Sequence, residues 1–390
     1  MEHNMSEIVI AGIGQTEVGE HWNISLRDLA LDAIQHALED AGGLRPQALF
    51  VGNMLGPNLS NQAHLGVLLA DHAGLLGIEA ATLEAAGASG GAALRQGYLA
   101  VASRLVDVAL VVGVEKFTDK IGADVDSALA TTSDSDFEAV QGLTSTAQAA
   151  LLMRRYMHDH DVPDDGFEGF ALVAHANAAG NPYAMFRKAI KREAYTGAEV
   201  VNEPLNMFDI APNADGAAAV VITRGELIPL PGRYPRVRIA GSASSADTLA
   251  LHDRHDMLNF EAARTSTQKA MRQVGAALDQ IDFFEYHDAY GIYAALSLEA
   301  AGFAERGQGW RLAADGSIAR GGKFPCATMG GLKARGFPGG ATGVYQAVEA
   351  TLQLRCEAGA NQVHGARLGL VQSMGGPGST VVSHVLQALD

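Results

Sequence analysis

"LEAAGASGGAALRQGYLAVASRLVDVALVVGVEKF", residues 83–117, holds together the three patterns that decide the fold. A glycine-flanked run of small residues, "EAAGASGG", leads into "GGAALRQGYLAVASRL", whose spacing predicts a helix packed on small side chains. "VDVALVVGVEKF" follows as an apolar run with no polar alternation, the mark of a strand buried on both faces. Turn, helix and buried strand in that order predict a sheet covered by helices. The small-residue run is also the kind of strand-to-helix turn from which enzymes present a nucleophile, yet its centre is Gly87.

The same alternation extends outward. "SEIVIAGIG" (6–14) is a short β-branched run closing on glycines, hence a buried strand. "SLRDLALDAIQHALEDAGG" (25–43) has helical spacing, with Ser25 as N-cap and Gly42 as stop. "QALFVGNM" (47–54) reads as the next strand. The pattern then returns. "PRVRIAGSAS" (235–244) resembles the opening strand, and "EAARTSTQKAMRQVGAALDQIDFFEYHDAY" (261–290) repeats the helix, link, strand and loop of residues 26–54. "GGATGVYQAVEATLQLRC" (339–356) gives another glycine turn and helix, and "ARLGLVQSMGGPGSTVVSHVL" (366–386) a strand, glycine turn and strand. The period is too long for a solenoid. Two similar α/β halves are expected, residues 1–232 and 233–390, with the site between them. An insertion at about 117–210 carries the helix "TSTAQAALLMRRYMHDHDV" (144–162) and a second around "FEGFALVAHANAAGNPYAMFRKAIKRE" (167–193), as a lid or substrate-binding subdomain.

The 390 residues carry a formal net charge of −16 and are 48% hydrophobic, the balance of a globular protein with large cores. That charge disfavours nucleic acid and anionic membrane as partners. No uncharged apolar stretch approaches 18 residues, and the first residues lack a signal peptide's apolar region, so a cytoplasmic protein is expected. Cys326 and Cys356 cannot build a disulfide framework or a four-thiolate zinc site. "MHDHDVPDD" and "LHDRHDM" lack a third ligand at suitable spacing, so no metal is expected. "FRKAIKRE" places Arg187, Lys188, Lys191 and Arg192 where one helix face would hold the phosphates of a ligand; a solvated face is the alternative. "GASGG" has the form of a hydrolase elbow with Ser89 as nucleophile, but a helix-capping serine is the expected reading.

"NPYAMFRKAI" (181–190), "APNADGAAAVVI" (211–222), "HDAYGIYAALSLEAAGFAERGQG" (287–309) and "GGLKARGFPGGATGVYQAVEATLQLR" (330–355) follow one another as in a known family. In order and spacing they resemble the thiolase superfamily, of the archaeal and sterol-carrier-protein-x type. The resemblance covers nearly the whole chain. It implies duplicated α/β halves layered α-β-α-β-α with mostly parallel mixed sheets, a homodimer, and acyl-CoA as substrate. Coenzyme A then enters as part of the substrate, with no covalently bound cofactor. A small zinc-ribbon and OB-fold partner protein is also implied.

Residue by residue, the resemblance breaks at the reactive groups. The family's nucleophilic cysteine falls on Gly87, between Ala86 and Ala88; the histidine of its "GHP" falls on Phe337. The second cysteine that can follow "HD" falls on Ala289, and the asparagine and serine of "NPSGG" fall on Ala327 and Met329. Cysteine-based acyl transfer is therefore expected to be absent. What remains is His287 as base, Asp288 to orient it, Tyr290 as proton relay, and backbone N–H groups at Gly87, Ala88, Ser89, Gly375 and Gly376 to hold an enolate oxygen. Those groups suit aldol or retro-aldol chemistry on a β-hydroxyacyl-CoA. A non-catalytic CoA- or lipid-binding subunit is the alternative, and acetyl-CoA acetyltransferase is implied by family label alone.

Overall fold

The computed structural model describes residues 7–228 and 234–389. Among them eleven strands form: β1 (Ile8–Gln15), β2 (Ala48–Gly52), β3 (Glu79–Leu83), β4 (Val108–Glu115), β5 (Val200–Asn202), β6 (Leu205–Asn206), β7 (Gly216–Arg224), β8 (Val237–Ala246), β9 (Phe283–Glu285), β10 (Leu368–Gly375) and β11 (Thr380–Ala388). Nine make one mixed sheet in the order β3-β2-β4-β7-β1-β8-β11-β10-β9, and β5 and β6 form a hairpin in the insertion.

That order repeats itself about the β1–β8 contact. Outward from β1, the ladders run antiparallel to β7, antiparallel to β4 and parallel to β2. Outward from β8, they run antiparallel to β11, antiparallel to β10 and parallel to β9. An antiparallel pairing of Val9 with Arg238 and Ile10 with Val237 joins the two series. The boundary expected at 232/233 lies outside the described residues.

The apolar strands are buried on both faces, as their composition requires. Leu49, Val51, Leu110, Val112, Ala219 and Val221 face the helix Leu26–Asp40. Their neighbours Phe50, Val111 and Val220 face the opposite way, toward the helices Ser89–Ala102 and Thr342–Leu354. On the other half, the helix Glu261–Val274 packs on β8 and β11. Helices thus lie outside each half and between them. The two central helices meet backbone to backbone: a Cβ on Gly343 would stand 2.2 Å from the Gly91 amide nitrogen, and one on Gly90 2.7 Å from the Gly340 carbonyl oxygen. This contact explains the glycines at positions 90 and 91 of one helix and at 340 and 343 around the start of the other, and it brings the turns preceding them together.

Local signals hold at the helix ends. Ser25 accepts from the Asp28 N–H, and Gly42 sits at φ +66° just beyond the helix. The insertion supplies the helix Ser145–His160, capped by the Thr144 hydroxyl, and the helix Glu168–Ala178. The latter ends well short of the expected span. Asn181 and Pro182 interrupt it, and residues 181–191 run as irregular chain before the short helix Arg192–Thr196. Among the described residues, no helix is long and apolar enough to cross a membrane.

Candidate functional site

Four chain reversals converge on one cavity. The turn after β3 brings Gly87; the loop after β9 brings His287 and Tyr290; the β10–β11 turn brings Gly376; and the segment after the short helix Gly331–Arg335 brings Phe337. Met374 at the end of β10 and Asn213 also line it.

The Gly87 turn is tight and internally bonded. Ala88 N–H donates to the Ala85 carbonyl and Ser89 N–H to the Ala86 carbonyl, each at 3.0 Å. The Ser89 hydroxyl donates to the Ala86 carbonyl at 2.6 Å and accepts from the Ala85 N–H at 2.9 Å. Ser89 is fully buried and does not line the cavity. These bonds correct two expectations: Ser89 stands just inside the helix and ties the preceding turn instead of capping it, and the Ala88 and Ser89 amides are already engaged. The Gly87 and Gly376 N–H groups meet no acceptor among the described residues. A Cβ at Gly87 would lie 2.5 Å from the Met374 carbonyl oxygen and 3.1 Å from His287 Cε1. The imidazole and the β10 backbone therefore close over this position so far that a side chain requires them to move.

His287 is 3% exposed. Its Nδ1 accepts a long hydrogen bond from the Met374 N–H, 3.4 Å, which leaves the ring proton on Nε2. Burial, and then the positive charge of Arg335, push its pKa down to about 3. At neutral pH the ring is an uncharged hydrogen-bond donor and a poor base, which corrects its expected role. Phe337 meets it edge-on, with ring centroids 5.6 Å apart. Asp288 points elsewhere: its carboxylate accepts from the Leu332 N–H at 2.7 Å, and a Cβ on Gly331 would stand 2.5 Å from its Oδ2. It anchors the 330–336 turn and makes no bond to the imidazole, so its orienting role is likewise corrected. With His287 uncharged throughout the range well above its pKa of about 3, kcat/KM should show no limb near pH 6.5. A rate profile measured from pH 5.5 to 8.5 checks this, and a limb of unit slope near 6.5 would assign the base role to His287 after all.

Tyr290 contacts Thr146 of the insertion through the two hydroxyls, 3.3 Å apart, and packs edge-on against Tyr293. Burial raises its pKa to about 12, so the phenol keeps its proton. Ala289 also lines the cavity; Gly375, inside β10, does not. Ala327 and Met329 are buried: the Ala327 carbonyl accepts from Asn177 Nδ2 at 3.0 Å, and the Met329 carbonyl from Asn181 Nδ2 at 2.8 Å. Cys326 is buried with its thiol pKa pushed up and donates to the Phe324 carbonyl; Cys356 is exposed.

The basic stretch does not form one helix face. Arg187 and Lys188 lie in irregular chain, and Arg187 pairs with Glu17 at 3.0 Å. Arg192, in the short helix, pairs with Asp165 and Glu168. Lys191 precedes that helix as its N-cap residue. Among the described residues, no group of three His, Cys, Asp or Glu side chains is placed to hold a metal ion. Sequence reasoning missed Asp126, Ser145, Thr146 and Gln148, which the insertion brings to the cavity wall. Helical spacing placed the segment of Ser145, Thr146 and Gln148 but gave no sign of which face meets the other half, and the helix Ala123–Ala130 that carries Asp126 was not predicted.

A family model described as "Thiolase, N-terminal domain" matches residues 8–226, and one described as "Thiolase C-terminal domain-like" matches residues 243–388. The chain is 39% identical over 383 residues to acetyl-CoA acetyltransferase of Methanothermobacter thermautotrophicus, covering 98% of this chain and 99% of the relative. It is 26% identical over 392 residues to sterol carrier protein 2 of Gallus gallus, covering 96% of this chain and 71% of that protein. Among solved structures it is similar to the Ltp2-ChsH2(DUF35) aldolase, with a TM-score of 0.82, 24% identity and 98% of each chain covered. At that identity the structural likeness carries the fold alone.

Proposed function

Since the chain belongs to the thiolase superfamily, we propose that it acts on CoA thioesters, making or breaking a carbon–carbon bond without an acyl-enzyme. One observation carries this reading: Gly87 offers no side chain to the cavity, and His287 and the Met374 carbonyl crowd the space one would need. A thioester bound there meets hydrogen-bond donors in place of a nucleophile. His287 Nε2–H and the Gly87 and Gly376 amides are the groups suited to its carbonyl oxygen.

In the retro-aldol direction, the β-hydroxyl of a β-hydroxyacyl-CoA gives up its proton and the Cα–Cβ bond breaks. The hydroxyl carbon leaves as an aldehyde, and the electron pair passes to the thioester as an enolate. The enolate then takes a proton at Cα, giving the shortened acyl-CoA. No oxidant or reductant is needed. Tyr290 is assigned the proton transfer at the β-oxygen: in the retro-aldol direction its oxygen accepts the hydroxyl proton as it gives its own to solvent, and solvent returns one proton to Cα, so the count closes; the aldol direction reverses each transfer. Tyr290→Phe should lower turnover about 100-fold with little change in ligand affinity; a rate within twofold of the parent would remove Tyr290 from the mechanism.

The CoA portion is placed along an apolar groove lined by His175, Phe186, Met207 and Phe208, which shares Ile210 and Ala211 with the cavity. Arg187 and Lys188, next along the chain after Phe186, remain the candidates for the phosphates. A homodimer is proposed through β3, whose outer edge ends the sheet with an unpaired backbone ladder; sedimentation tests it.

The deciding assay supplies β-hydroxyacyl-CoA and measures aldehyde and shortened acyl-CoA. Equal yields of the two support the reading. Cleavage of a β-ketoacyl-CoA that consumes free CoA supports the acyltransferase reading instead. The exposed Ile121, Phe137 and Val140 on the insertion favour a second reading, a subunit that works only with a partner. The same assay, run with and without the product of a neighbouring gene of the zinc-ribbon and OB-fold type, separates the two.

A further inference from the structure

The cavity has a second polar wall that the reaction above leaves unused. The helix Ser145–His160 begins there, and Thr144 caps it by accepting only the Ala147 N–H, at 3.1 Å. The Ser145 and Thr146 amides meet no acceptor among the described residues, and both residues line the cavity. Gln148, one turn on, lines it too. Gln148 is 2% exposed, and its Nε2 has no hydrogen-bond partner. A buried amide left unpaired is costly, and such groups persist where a ligand atom completes them. A helix N-terminus and an unmet amide together call for an oxygen acceptor. Asp126 lines the same cavity and brings a negative charge close to Tyr290. A carboxylate would be repelled there, whereas an uncharged oxygen would not.

We propose that Ser145, Thr146 and Gln148 form a subsite for a second, uncharged oxygen on the acyl chain, a ketone or hydroxyl beyond the β-carbon. The substrates are then oxygenated acyl-CoAs in preference to plain alkyl ones. This rests on the reading of the cavity as an acyl-CoA site. The specificity is of the kind buried donors enforce: a chain lacking the oxygen leaves the Gln148 amide unpaired.

The test uses unreactive thioether analogues of acyl-CoA, identical except for one keto oxygen moved stepwise along the chain, with binding measured by calorimetry on the full-length protein. One keto position should bind about tenfold tighter than the plain chain, the size of one well-made hydrogen bond. A carboxylate at that position should bind more weakly than the ketone. Gln148→Leu, or Gln148→Met should the first variant not fold, should abolish the preference while leaving plain-chain affinity unchanged. Equal affinity along the whole series for the parent protein, or a preference that survives Gln148→Leu, overturns the subsite alone. A carboxylate that binds best overturns the assignment to an uncharged oxygen. Failure of every analogue to bind overturns the CoA reading, and the subsite with it.

Discussion

Replacing His287 by alanine is expected to lower kcat and kcat/KM together by about 10²–10³-fold, the cost of losing one oxyanion donor. The reason lies in how the ring is held. The Met374 N–H occupies Nδ1, burial and Arg335 keep the imidazole uncharged, and the Nε2 proton is left facing the cavity beside Gly87. A group fixed in this way offers its hydrogen bond most strongly as charge develops on the thioester oxygen. Its removal should therefore appear in the rate more than in ground-state binding. His287→Gln, which keeps an N–H donor on a shorter planar group, should recover part of the loss. If His287→Ala raises KM alone, the ring is only a wall of the binding site.

At pH 8.5, where Glu349 is ionised, Arg335→Met is expected to destabilise the fold by about 3–5 kcal/mol, the cost of removing one partner from a buried ion pair. Arg335 and Glu349 are each 1% exposed, and their nearest atoms stand 2.8 Å apart. The guanidinium also covers the Tyr345 ring at 4.9 Å. Its N–H bonds are poorly aimed at the carboxylate, so charge attraction holds the pair more than hydrogen bonding. Burial nevertheless pushes the Glu349 pKa from 4.5 up to about 8. A carboxyl raised on folding contributes its full stability below pH 4.5 and loses it as pH climbs through about 8. His287 and His384, driven down to about 3 and about 4, have finished titrating above roughly pH 6.5, while buried Glu115, pushed up to about 7, adds a fall of the same sign that is common to parent and variant. Denaturant unfolding of the parent protein should therefore show stability falling from pH 6.5 to pH 8.5. The penalty of Arg335→Met should grow over the same range, because the abandoned carboxylate escapes its cost by protonation only at lower pH. Glu349→Leu combined with Arg335→Met should restore most of the loss. A penalty independent of pH would mean that Arg335 acts through packing alone.

The fold was legible because it rests on periodicity and glycine. Ser25 and Gly42 bound their helix, the buried strands read as unbroken apolar runs, and the glycines at 90, 91, 340 and 343 mark where the two central helices touch. Gly87, His287, Tyr290 and Phe337 could be named because each sits in a motif, and the cavity brings all four together. Hydrogen-bond direction was not legible. Nothing in "YHDAY" tells that Asp288 turns to the Leu332 amide while its neighbour takes the Met374 N–H. Glu115 shows the same limit: within "VVGVEKF" it reads as the polar end of a strand. In the fold its buried carboxylate accepts from the Met54, Leu55 and Gly340 amides, tying the two halves together. The basic run misled for a local reason, since Asn181–Pro182 breaks the helix on which its spacing depended.

Intact-mass spectrometry on protein acid-quenched during turnover tests the absence of an acyl-enzyme most directly. With a β-hydroxyacyl-CoA in excess, every molecule should keep the mass of the unmodified chain while aldehyde accumulates. A population heavier by the mass of the acyl group, mapped by digestion to any side chain, would contradict the non-covalent mechanism.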